Sequence, residues 1–170
     1  FDAIDIHFWG PAGAWRMNAL KEYRELLDSK GLTNVEIWSN EHGTWVGQPK
    51  GMSTVQTESD QAASLVKRYA YGLANGLDRL MWNNIVEWEN FSGQAESPFN
   101  SMGLVADGVG EGEDTTMFNV PRLSYYSYKL LAEKLEGSDW KSTEIISEAG
   151  NVYAYRFSKK DGGAVWVVWW

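Results

Sequence analysis

Residues 35–45 read Val-Glu-Ile-Trp-Ser-Asn-Glu-His-Gly-Thr-Trp. A short apolar strand, Val35 to Trp38, runs into the carboxylate of Glu41, which Trp38 and Trp45 bracket and His42 and Gly43 follow. Gly43 lets the chain turn tightly just past the acid. A carboxylate beside indole faces suits a ligand whose C–H faces stack on aromatics, and it can act on that ligand as nucleophile, base or acid.

Upstream, Ala3, Ile4 and Ile6 make a short apolar strand ending at His7, and Phe8-Trp9-Gly10-Pro11 reads as a loop. Residues 15–30 carry Leu20, Tyr23, Leu26 and Leu27 at helical spacing, with Gly31 placed as a left-handed stop. Downstream, Thr57-Glu58-Ser59-Asp60 has the capping-box pattern, with Asp in the fourth place. The helix behind it has Leu65, Val66, Tyr69, Leu73 and Leu77 on one side and Asn75-Gly76 at its end. Arg79-Leu80-Met81-Trp82 is a further strand, running out into Asn83-Asn84. Residues 87–119 form a loop longer than an ordinary connection. Pro121 stands where a first helical residue would, and Leu123, Tyr126, Leu130, Leu131 and Leu135 supply a helical face before Gly137.

Three successive βα units predict parallel strands with helices packed outside them. After Gly137 the period changes. Residues 151–157 and 164–170 alternate as strands around Lys159-Lys160-Asp161-Gly162-Gly163, a hairpin turn, which gives a small antiparallel β element.

Length and composition bound the function. The 170 residues carry a formal charge of −8 and no cysteine. The size allows one substantial core. A polyanion needs a basic face, so nucleic acid is not an expected partner. No apolar run reaches the roughly 20 residues of a membrane helix, so no membrane is expected. Ten tryptophans, an unusual number for this length, suit a surface that binds flat ligands as well as a core. The first residue already lies within a strand pattern and the last strand ends the sequence, which gives the expectation of a piece of a longer protein.

Catalytic groups of α/β barrels sit where strands give way to loops, which selects His7, Glu41 and Trp82. With Trp-Ser-Asn-Glu-His-Gly, Gly-Leu-Asp-Arg-Leu-Met-Trp and Pro-Arg-Leu-Ser-Tyr-Tyr-Ser-Tyr-Lys-Leu-Leu in this order, the chain resembles the last three βα units of clan A glycoside hydrolases. The resemblance implies a partial (β/α)8 TIM barrel over residues 1–137 and the start of a C-terminal β-domain over residues 138–170. It implies retaining hydrolysis of O-glycosidic bonds in oligo- or polysaccharides. Glu41 would be the nucleophile, Trp82 the floor of the sugar subsite and His7 a neighbour that orients Glu41. Trp9, Trp45 and Trp88 are candidate sugar platforms, and Asn83, Asn84, Glu87 and Glu89 candidate partners for sugar hydroxyls. A secreted location is implied by the resemblance alone.

Double displacement requires two carboxyl groups about 5 Å apart. The family's acid/base Glu belongs to an earlier strand, so it is expected outside these residues. The alternative is a non-catalytic carbohydrate-binding fragment or pseudoenzyme using the Trp-lined mouth. A metal-dependent hydrolase would have to use His7, Glu41 and His42, and the chain has no other histidine. Residues 107–114, Asp-Gly-Val-Gly-Glu-Gly-Glu-Asp, lack the ligand alternation of a calcium loop and read as a solvated acidic loop. No cofactor and no metal are expected. Three strands cannot close a barrel, so the strand edges are expected to need the missing N-terminal half or self-association.

Overall fold

The computed structural model describes residues 1–11, 17–88, 97–108 and 117–170. The elements in chain order are β1 (Ala3–Asp5), β2 (Phe8–Trp9), α1 (Met17–Ser29), β3 (Glu36–Gly43), α2 (Glu58–Ala74), β4 (Arg79–Trp82), α3 (Leu123–Leu135), β5 (Glu144–Ala149), β6 (Val152–Ser158) and β7 (Ala164–Trp169). β1, β2 and β4 all pair with β3, and every pairing is parallel. β1 and β2 follow one another along one side of β3, and β4 takes the other. β5, β6 and β7 form a separate antiparallel sheet.

The (β/α)8 barrel expected from the resemblance is not what this chain forms. Three helices, an open four-stranded parallel sheet and a three-stranded antiparallel sheet make up the described residues. The side chains give the physical reason. A barrel interior is filled by layers of bulky apolar residues, whereas the sheet face away from the helices carries charge. There Trp38 donates its Nε1–H to Glu36 Oε2 at 2.6 Å, and the Arg79 guanidinium lies 4.6 Å from the Trp38 ring centre. Such a face is suited to water or to a polar ligand.

The opposite face builds the core. Ile4, Ile6, Phe8, Val35 and Ile37 from the strands meet Leu20 and Leu27 of α1, Leu65, Tyr69 and Leu73 of α2, and Leu131 and Leu135 of α3. The apolar stripes of α1 and α3 are narrower than their spacing suggests. Tyr23 and Leu26 on α1, and Leu123, Tyr126 and Leu130 on α3, are exposed. On α3 the packed series is Ser124, Tyr128, Leu131 and Leu135, which keeps helical spacing on a rotated face. The antiparallel sheet joins the same core through Tyr155 and Phe157, both fully buried. Glu148 of β5 ties it to the helices, accepting from Lys21 Nζ and Asn75 Nδ2, each at 2.8 Å.

Local signals account for several boundaries. Thr57 caps α2, its hydroxyl accepting from the Asp60 amide at 3.1 Å while the Asp60 carboxylate accepts from the Thr57 amide at 2.8 Å. Pro121 is not the first helical residue. Arg122 is the N-cap of α3 and provides no side-chain cap. Glu58, at the start of α2, supplies one instead, accepting from the Leu123 amide at 3.1 Å and from Arg122 Nη1 at 3.0 Å. Arg122 also grips Glu87 with two bonds, Nε to Oε1 at 2.9 Å and Nη2 to Oε2 at 2.7 Å. Both side chains are buried, and the pair pins the segment after β4 onto α2 and α3. Burial pushes the Glu87 carboxyl up, to about 7, against the pull of the Arg122 guanidinium.

Removing one partner of a buried ion pair strands the other's charge. Arg122→Met is therefore expected to lower stability by about 3 kcal/mol or more. Adding Glu87→Leu is expected to recover most of that loss, both effects being read from urea denaturation curves.

Candidate active site

The open sheet face collects its functional groups through an irregularity in β3. Along β1 the register is Ala3↔Glu36, Ile4↔Ile37 and Asp5↔Trp38, whereas along β2 it is Phe8↔His42 and Trp9↔Gly43. Between these pairings β3 contains one residue more than the lane beside it. The same shift shows against β4, between Ser39↔Leu80 and His42↔Trp82. This is a β-bulge, and a bulge changes which face later side chains take. Val35, Ile37 and Ser39 are buried on the helix side. Strict alternation would send Glu41 there too. The extra residue places His42 in the core instead and leaves Glu41 on the open face.

Glu41 is 46 % exposed, and its Oε2 lies 3.5 Å from His7 Nδ1. His7 Nε2 lies 3.0 Å from Asp5 Oδ2. Asp5 Oδ1 accepts the Asn40 amide at 2.8 Å, which anchors the group to the bulge itself. Trp9 stands edge-on to His7, with ring centres 6.2 Å apart, and against Phe99 at 4.7 Å. The short 3-10 turn Pro98–Ser101 thus lies beside the strand ends. Its neighbourhood is held by Asn84 Nδ2 donating to Phe99 O at 3.4 Å and by the Val46 amide donating to Ser101 O at 2.9 Å.

The other expected site residues are placed differently. Trp82 is 6 % exposed. Its indole N–H donates to Met102 O at 2.8 Å, and its ring meets His42 at 5.6 Å. Trp45 is 5 % exposed and donates to Thr54 O at 3.3 Å. Neither indole presents a free face at the mouth. Trp88 is 65 % exposed. Asn83, half-buried, donates its amide to His42 O at 3.1 Å, and its peptide bond to Asn84 is cis. Glu87 is committed to Arg122. Glu89, the start of the first helix at Trp15 and the acidic run from residue 109 onward lie outside the described residues.

His42 and Arg68 support the site from below. Arg68 of α2 is fully buried, donating Nη1 to Phe8 O at 3.0 Å, Nη2 to Gly10 O and Nε to Ser64 Oγ at 2.9 Å. It ties β2 and its exit loop to the helix layer. Burial lowers its pKa to about 9, which leaves it cationic at neutral pH. His42 packs against Tyr69 with ring centres 5.1 Å apart. Burial, assisted by the nearby Arg68 charge, lowers its pKa to about 3. His42 therefore faces the helix layer while His7 and Glu41 meet on the open face. Among the described residues no group of three or more His, Cys, Asp or Glu side chains is arranged to hold a metal ion.

Asp5 and Asn40 were not singled out by sequence. Asp5 had a signal, since residues two apart on a strand share a face. Asn40 had none, because its role depends on the bulge.

No protein-family model and no curated protein matches this sequence. Solved structures do share its fold. SrfJ from Salmonella typhimurium superposes with a TM-score of 0.58 at 10% identity, over 99% of this chain and 34% of that one. A GH2 beta-galacturonidase from Eisenbergiella tayi, bound to galacturonate, gives 0.52 at 12% identity, over 78% of this chain and 23% of that one. The chain thus spans about a third and a quarter of these proteins, and its fold is one found within a glycoside hydrolase.

The burial of His42 has a consequence for stability. Above pH 6.5 the ring is neutral whether the chain is folded or unfolded. Between about 6.5 and 3 the unfolded chain binds a proton that the folded chain refuses, so stability falls as pH falls. The slope approaches roughly 1.4 kcal/mol per pH unit within that window. His42→Phe keeps a ring between Trp82 and Tyr69 and removes the titration. The loss of stability from pH 7 to pH 4.5, measured by urea denaturation, is expected to be smaller in the variant than in the parent.

Proposed function

We propose that this chain forms part of an O-glycoside hydrolase in which Glu41 is the nucleophile of a retaining, double-displacement reaction. The observation that supports this most is the delivery of Glu41 to the open strand-end face, beside His7 and Trp9, by a one-residue bulge. A bulge that re-aims one carboxylate out of the core is a device for placing a working group. The fold shared with part of a beta-galacturonidase points to the same chemistry.

In the first step a Glu41 carboxylate oxygen forms a bond to the anomeric carbon while the glycosidic C–O bond breaks, its electron pair leaving with the aglycone oxygen. That oxygen takes a proton from a second carboxyl group. Water then attacks the anomeric carbon, giving its proton back to that second carboxyl, as the bond to the Glu41 oxygen breaks and frees the carboxylate. Among the described residues the other carboxylates of the open face are engaged. Asp5 is bonded to His7 and to the Asn40 amide, and Glu36 to Trp38. From the resemblance to clan A enzymes, the second carboxyl is proposed to come from polypeptide outside these 170 residues. Of the four candidate platforms, Trp9 and Trp88 keep exposed surface for a sugar face. The rival reading is a carbohydrate-binding fragment with a Trp-lined mouth; of its four candidate indoles Trp45 and Trp82 are buried and Trp9 and Trp88 keep exposed surface.

A leaving group that departs without protonation removes the need for the second carboxyl. Dinitrophenyl 2-deoxy-2-fluoroglycosides, tried as a panel that includes a galacturonide, are expected to label Glu41 covalently. Peptide mass spectrometry locates the label, and Glu41→Gln is expected to abolish it. Label on another residue, or equal labelling of the variant, would remove Glu41 from the role.

A further inference from the structure

Asp5 and His7 lie two residues apart along one strand lane, and the bulge brings Glu41 to the same face. The three side chains form a line. Asp5 Oδ2 is 3.0 Å from His7 Nε2, and His7 Nδ1 is 3.5 Å from Glu41 Oε2. Asp5 is itself fixed, because its second oxygen accepts the Asn40 amide at 2.8 Å. Asn40 immediately precedes Glu41, so one carboxylate is tied to both the ring and the strand that carries the nucleophile.

Donor and acceptor chemistry then decides where the ring proton sits. An ionised carboxylate only accepts, and a neutral imidazole has one N–H and one lone pair. Both ring nitrogens face a carboxylate, and the shorter contact, 3.0 Å to Asp5 against 3.5 Å to Glu41, places the proton on Nε2 and turns the lone pair of Nδ1 toward Glu41. We propose that Asp5 is a positioning residue that fixes His7 as the Nε2–H tautomer, making Nδ1 the atom that takes up any proton arriving on Glu41. The transfer balances simply: a protonated Glu41 and a neutral His7 become a carboxylate and an imidazolium held between two carboxylates. The 3.5 Å separation is long for a hydrogen bond, as contacts between catalytic groups commonly are before substrate binds. Trp9 stands edge-on to the imidazole on its remaining side, ring centres 6.2 Å apart.

The purpose of this arrangement rests on Glu41 being the nucleophile, whereas the tautomer does not, so the two are tested apart. The experiment is ring ¹⁵N NMR on the 170-residue chain at a pH where His7 is neutral. With two histidines in the sequence, His42→Phe leaves the His7 signals alone. The expected result is Nε2–H in the parent. In Asp5→Asn the retained oxygen still accepts from Asn40 and the amide nitrogen faces Nε2, so the ring is expected to change to the Nδ1–H form. Asp5→Ala is expected to leave a mixture of the two. A parent ring that is Nδ1–H or evenly mixed overturns the proposal, as does an Asp5→Asn ring that stays Nε2–H. The parent spectrum decides even if neither variant folds. Failure to label Glu41 would remove the nucleophile and leave the tautomer result standing.

Discussion

One extra residue in β3 governs what the rest of the molecule can do. On a strand, side chains alternate, so the count of residues decides which groups meet the core and which meet the ligand face. Up to Ser39 the odd positions of β3 go inward. After the insertion His42 goes inward, in register with Phe8, and Glu41 goes outward. Had β3 run without the bulge, an acid would face Tyr69 in the helix layer and an imidazole would occupy the open face. The Asp5 carboxylate bonds the Asn40 amide at the irregularity, so the same interaction that stabilises the bulge also orients His7.

Two buried arginines hold the frame around this feature. Arg68 reaches from α2 to the carbonyls of Phe8 and Gly10, and Arg122 reaches from the start of α3 to Glu87 and Glu58. Each fixes a segment that leaves a strand, one after β2 and one after β4. Carbonyls and carboxylates at strand exits would otherwise be buried without donors, at a cost of a few kcal/mol each. A guanidinium satisfies several of them from one rigid fork. The arrangement makes the helix layer a template for the loops, and the strand-end face inherits its shape from it.

Much of the chain order was legible because the signals were local. The alternation of strand and helix, the capping box at Thr57 and Asp60, strand Arg79–Trp82 and the turn near Lys159 each depend on residues a few positions apart. β5 was missed although its turn was written in the sequence. Gly150 and Asn151 both take positive φ, which is the two-residue hairpin loop between β5 and β6. What sequence could not supply depended on distance. An arginine in a helix reads as surface until carbonyls sixty positions away are seen to receive it. Trp45 reads as a sugar platform and Trp82 as a subsite floor, and nothing local shows that the carbonyls of residues 54 and 102 accept their N–H groups.

The failed barrel expectation follows from the same difference. A run of βα units is a statement about connectivity, and connectivity alone leaves the second face of the sheet undetermined. In this chain Asp5, His7, Glu36, Asn40, Glu41 and Arg79 lie along the strands whose other face carries Ile4, Ile6, Phe8, Val35 and Ile37. Desolvating the ionised groups among them would oppose burial of that face by another apolar layer. The face that excludes a packed interior is the one on which a carboxylate can meet an approaching polar ligand. Its polarity both leaves the parallel sheet open and keeps Glu41 accessible.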